Sequence, residues 1–91
     1  METTIVICLT TIDFQEYMRS GYGVYAPLNN RRVYINNRLF LCVTSPTHLI
    51  GHRCDTIVST RIALHNQHYN EINEVAHTFC LVRKKNFKFG R

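Results

Sequence analysis

The segment Arg83-Lys84-Lys85-Asn86-Phe87-Lys88-Phe89-Gly90-Arg91 holds five of the chain's eleven lysines and arginines, no acid, and two phenylalanines set among the charges. Cations attract phosphates and rings stack on bases, so these residues have the chemistry to hold a nucleic-acid strand without reading its sequence. Arg31, Arg32 and Arg38 form a second set that brackets Asn36-Asn37, with Tyr34 and Tyr25 as neighbouring stacking faces. A run of charge is also what a solvated tail looks like, and Phe87 and Phe89 could instead dock on the domain or on a second copy.

Five histidines and four cysteines raise the question of a metal. The spacings His48-x3-His52-x-Cys54 and His65-x2-His68 could bring His48, His52, Cys54, His65 and His68 to one ion, and His77 and Cys80 fit one helix face. Structural zinc sites usually carry paired CxxC or CxxxH units with turn residues between the ligands. No CxxC occurs, so no metal and no cofactor is assigned. Nucleophilic and phosphoryl chemistry lack their motifs too: there is no nucleophile elbow, glycine-rich phosphate loop or HExxH. Asp55 is the one acid considered for chemistry, and its simpler role is to bond a turn at a strand entry or to pair with Arg53. The chain is read as a non-enzyme.

What must position these groups is a small domain. Ninety-one residues bury roughly 60–65% of the surface of the unfolded chain, enough for one sheet and two helices. An apolar content of 45% with 19% charge is ordinary for a folded protein. The net charge of +5 favours acidic partners, nucleic acid first among them. No stretch approaches the roughly 20 apolar residues of a membrane span, and no cationic segment precedes the apolar run Thr4–Leu9 as a secretory signal requires. The expected compartment is therefore cytoplasmic, in the protein's own cell or in an infected host. Cys8 and Cys42 lie in apolar, strand-like settings, and all four cysteines are expected to be buried thiols.

Thr4–Leu9 predicts a strand covered on both faces. Thr10-Thr11-Ile12-Asp13 gives a helix start signal, Phe14, Tyr17 and Met18 share one helical face, and Gly21 or Gly23 stops that helix. Arg32–Ile35 and Arg38–Val43 flank Asn36-Asn37 as an antiparallel hairpin, the first strand near an edge and the second interior. A single helical turn is expected after Pro46, then a strand over Asp55–Ser59, with Ile62–Leu64 either extending it or forming a separate piece. Ile72, Val75, Ala76, Phe79 and Val82 predict a helix from Asn70 to about Lys84. The alternative is a helix ending near His77 and a strand over Phe79–Arg83. The order β-α-β-β-β-α makes an α/β (or α+β) domain over residues 1–84, with a three-to-five-stranded sheet and a basic tail at 85–91.

Leu39–Ser45 followed by Leu49–Val58 resembles the Walker-B strand region of phage packaging ATPases and helicases, where a Gly-x-Arg-x-Asp turn precedes an apolar strand ending in Asp-Glu. Here Gly51, Arg53 and Asp55 supply the turn, but the strand ends in Ser59-Thr60 and no phosphate loop follows the first strand. The resemblance implies an α/β layout without ATP hydrolysis. If the first, third and fourth strands run parallel, Thr10, Thr11, Thr44, Ser45, Ser59, Thr60 and Arg61 gather at their carboxyl ends, where open α/β sheets bind ligands. The simpler reading makes these residues caps and strand ends.

Two functions follow. The first is a non-enzymatic basic domain binding nucleic acid mainly through phosphate contacts, with Arg31, Arg32, Arg38, Tyr34, Arg83, Lys84, Lys85, Phe87, Lys88 and Arg91 as the binding residues. The alternative is a protein-interaction module, such as a small viral or phage accessory protein acting on a host protein through Tyr22, Tyr25 and Tyr34. A homodimer through the edge strand Arg32–Ile35 accompanies either reading.

Overall fold

Residues 2–26, 31–49, 54–80 and 86–89 are described by the computed structural model, with 79–80 and 86–89 described by backbone alone. Strand β1 (Glu2–Ile7) is the middle of the sheet, and Ile5, Val6 and Ile7 are fully buried because both of its faces are covered. Chain order continues with α1 (Thr11–Tyr22), β2 (Arg32–Ile35), β3 (Arg38–Val43), a 3₁₀ turn at Pro46–Leu49 and β4 (Thr56–Ser59). A 3₁₀ helix at Arg61–His65, α2 (Tyr69–Cys80) and β5 (Asn86–Phe89) complete it. The five strands lie in the order β2-β3-β1-β4-β5. β3 and β4 run parallel to β1, β5 runs parallel to β4, and β2 alone is antiparallel.

The expected α/β class, with two helices and up to five strands, is what forms. One feature differs from the sequence reading: Asn86–Phe89, assigned to a basic tail, is a strand that pairs with Thr56–Ser59. Of the two alternatives for Ile62–Leu64, the separate piece forms, as part of the 3₁₀ helix. The expected continuation of α2 to Lys84 falls on residues outside those described.

Side-chain alternation divides the core into two layers. Val6, Cys8, Phe40, Cys42 and Val33 meet Phe14 and Met18 of α1. Ile5, Ile7, Leu41, Val43 and Ile57 meet Tyr69, Ile72 and Ala76 of α2. Each helix was legible from its stripe, since apolar residues three and four apart fall on one side. Cys8 and Cys42 are buried thiols as expected, and burial, with Cys42 as the next influence, pushes the Cys8 thiol well up from its usual range. The expectation of four thiols is corrected at Cys54, which is disulfide-bonded. That removes one argument for a reducing compartment. The side chain of Cys80 lies outside those described.

Helix α1 begins where the sequence signalled. The Thr10 hydroxyl accepts the backbone N–H of Asp13 at 3.2 Å, satisfying a donor that has no partner inside the helix. It ends at Gly23, whose φ of 68° is left-handed, with Gly23 N–H bonding Arg19 O and Val24 N–H bonding Met18 O. Gly21 sits inside the helix, and nothing lies within 4 Å of the space a β-carbon would fill there. The two glycines therefore have opposite roles. Gly21→Ala should stabilise the fold by about 0.5–1 kcal/mol by removing backbone entropy. Gly23→Ala should cost about 1–2 kcal/mol, because a β-carbon is strained at that φ. Urea midpoints of the two variants moving in the same direction would refute this assignment.

Candidate functional site

Open parallel sheets expose function at the carboxyl ends of their strands, and this one gathers there the residues that the sequence singled out. Most are committed to holding the fold. The Asp13 side chain, only 8% exposed, accepts the Leu9 N–H at 2.9 Å and the Thr60 hydroxyl, so it joins the exits of β1 and β4. The buried Ser59 hydroxyl donates to the Thr60 carbonyl at 3.1 Å. Asn66, absent from the sequence reading, does most: its Nδ2 donates to the carbonyls of Cys8 and Thr44 at 3.0 and 3.1 Å. Its Oδ1 accepts the His68 N–H at 2.8 Å, directly before α2. One side chain thus ties β1, β3 and α2 together. The simpler reading of Thr10, Thr44, Ser59 and Thr60 as caps and strand ends is the better description.

Asp55 is structural in the same way. Its carboxylate accepts the Thr3 N–H at 3.1 Å and its own N–H bonds Thr3 O at 2.9 Å, which sets the register of β4 against β1. The partner considered from sequence, Arg53, lies outside the described residues. Among those described, no group of three or more His, Cys, Asp or Glu could hold a metal ion. His52 lies outside that set, and exposed His68 faces Glu71 at 3.7 Å.

The basic hairpin does not form one cluster. Arg38, at the turn, donates to Thr4 Oγ1 at 2.7 Å and pairs with Glu2. Arg32 pairs in register with Leu41 and Arg38 with Ile35. The two arginines are therefore about 10 Å apart along the hairpin, on opposite faces of the sheet. Arg31 lies at the far end, near enough to act on His48. Arg32 and Tyr34 share a face, and both are exposed, Tyr34 by 56%. Because Cys42 N–H bonds Arg31 O at 2.8 Å, alternation turns the backbone groups of Arg32 and Tyr34 to the outer edge of the sheet. Tyr22 and Tyr25 are also exposed, by 47% and 71%, and the ring of Tyr22 lies 4.8 Å from that of Phe40.

Of the second basic segment, Asn86–Phe89 is at the other side. β5 is the edge strand opposite β2, about 19 Å away across four strand spacings. The side chains of Phe87 and Lys88 lie outside those described, as do Arg83, Lys84, Lys85 and Arg91 altogether. Comparison with protein-family models, with curated proteins and with solved structures finds no match. The class of protein defined here is therefore a small open α/β domain with a committed carboxyl edge and an accessible antiparallel edge strand.

His48 joins this edge by accepting the Thr44 N–H on Nδ1 at 3.2 Å. Burial first, and then the Arg31 guanidinium, hold its imidazole below the ordinary value of 6.5. The unfolded chain then binds the proton more readily than the folded one, so stability is complete above that ordinary value and falls as pH drops below it toward the folded value. His48→Gln, which does not titrate, should flatten the fall in urea midpoint between about pH 7.5 and 5.5. An unchanged pH slope would assign the effect to another group. Asn66→Ala strands two inward-facing carbonyls and should cost about 2–4 kcal/mol. Asn66→Asp should cost more, because a carboxylate then faces both carbonyls; equal or smaller losses in thermal unfolding would contradict the tie.

Proposed function

We propose that this protein is a non-enzymatic domain that binds nucleic acid through phosphate contacts, with the β2 edge as its principal contact. One observation carries the reading. The hairpin from Arg31 to Val43 contains no acid, and Arg31, Arg32 and Tyr34 on its outer side are all exposed, Arg32 and the Tyr34 ring on one face of the sheet. Guanidinium groups suit phosphates, and a ring beside them suits an unstacked base. Glu2, the nearest acid at the turn, is already engaged by Arg38. β5 lies on the far edge of the sheet, so a phosphate contact made there would be separate from those at β2. Asp13 and Asp55 are held in hydrogen bonds to the fold, which supports a binding protein over an enzyme.

A second reading rests on the same edge. The outward backbone groups of β2 and the exposed Tyr22, Tyr25 and Tyr34 suit strand addition by a protein partner or by a second copy of this chain. No helix among the described residues is long and apolar enough to cross a membrane. Salt separates the two readings, since phosphate binding weakens steeply with it.

Fluorescence anisotropy with a labelled single strand, from low to physiological salt, is the test. Arg31→Ala/Arg32→Ala should lower affinity and flatten the slope of log K on log salt by about 0.7 for each phosphate that is no longer neutralised. Tyr34→Ala should lower affinity by about 1–3 kcal/mol and leave the slope unchanged. No binding at low salt would reject nucleic acid and leave the protein partner, and wild-type affinity in the double variant would reject the β2 edge as the contact.

A further inference from the structure

The chain leaves β1 through α1, which packs on one face and leads to the β2–β3 side of the sheet. It leaves β4 through the 3₁₀ helix and α2, which packs on the other face and leads to β5. β1 and β4 are neighbours, so their connections part in opposite directions. Such a switch point opens a crevice outside the carboxyl ends of the two strands, the usual ligand position in open α/β sheets. A groove of about 350 Å³ lies there, lined by Thr10, Ile12, Asp13, Glu16, Arg61 and Ile62, a size that suits a small ligand.

Its chemistry is selective. Ile12 and Ile62 are 57% and 42% exposed, apolar surface facing the groove instead of the core. Asp13 is hydrogen-bonded by Leu9 and Thr60, and Glu16 is paired with Arg19 at 2.8 Å. Among the described residues Arg61 pairs with no carboxylate, and it is the one cation of the groove's lining. The amides of Asp13 and Phe14 at the start of α1 are taken by the Thr10 hydroxyl and carbonyl, and anion recognition falls to Arg61.

We propose that this crevice binds a small aliphatic monocarboxylate, its carboxyl group on Arg61 and its hydrocarbon chain between Ile12 and Ile62. A guanidinium matches a carboxylate with two parallel hydrogen bonds. The carboxylates of Asp13 and Glu16 in the same walls disfavour a more highly charged anion such as phosphate. The site is separate from the β2 edge, so it stands or falls independently of nucleic-acid binding.

A ¹⁵N-resolved NMR titration of the full chain with hexanoate tests it, with hexanamide and inorganic phosphate as controls. Hexanoate should shift the amides of Thr10–Glu16, Arg61 and Ile62 saturably, with affinity in roughly the millimolar range for so few atoms. Arg61→Gln should weaken binding at least about fivefold, the effect of losing a charge-assisted pair, and Ile62→Ser should weaken it while leaving the rest of the spectrum in place. Absence of saturable shifts at those amides, equal binding of phosphate or hexanamide, or unchanged affinity in Arg61→Gln would overturn the proposal.

Discussion

The fold depends on how the inward-facing backbone groups at the carboxyl edge of the parallel strands are satisfied. Parallel strands end without the hairpin bonds that close antiparallel ones, so side chains must supply the missing partners. Asn66 bonds two carbonyls and one N–H, and Asp13 bonds one N–H and one hydroxyl. These two side chains join the exits of β1, β3 and β4 to the starts of both helices. A buried polar group left without a partner costs as much as a substantial part of a small domain's stability, so neither residue is available for chemistry.

That commitment explains where function can lie. On the proposed reading, recognition falls to groups that this bonding leaves exposed. β2 provides one outlet, because an edge strand keeps half of its backbone groups turned outward. The crevice between β1 and β4 provides another, because the opposed chain directions there leave a gap that the flanking loops do not fill. The two outlets differ in character: arginines and a tyrosine ring at β2, one arginine between isoleucines in the crevice.

Positive charge is spread accordingly. Arg19 and Arg38 are paired with glutamates, while Arg31 acts on the electrostatics of His48 and Arg61 stands over the crevice. A net charge of +5 is thus a sum over different situations. Only the cations without an acid nearby add to attraction at a distance, since an ion pair is nearly neutral beyond the screening length.

Local patterns determined much from sequence alone. Thr4–Leu9 read as a buried strand because both-sided burial removes alternation, and Thr10 with Asp13 marked the start of α1 because a short polar side chain reaches the first amides. Asn36-Asn37 marked the hairpin, and Asn36 indeed takes a positive φ of 55°. Ile72 and Ala76 placed the buried face of α2. Tertiary structure alone decided the rest. Asn66 signals only a local turn before α2 through His68, while the two carbonyls it ties together lie 58 and 22 residues away. β5 read as a tail because four residues among charges have no strand signature until β4 offers its edge. Arg32 and Arg38 looked clustered around the turn, but strand alternation sent them to opposite faces. Sequence records the preferences of neighbours along the chain; which distant groups meet is fixed only when the sheet assembles and its edges require partners.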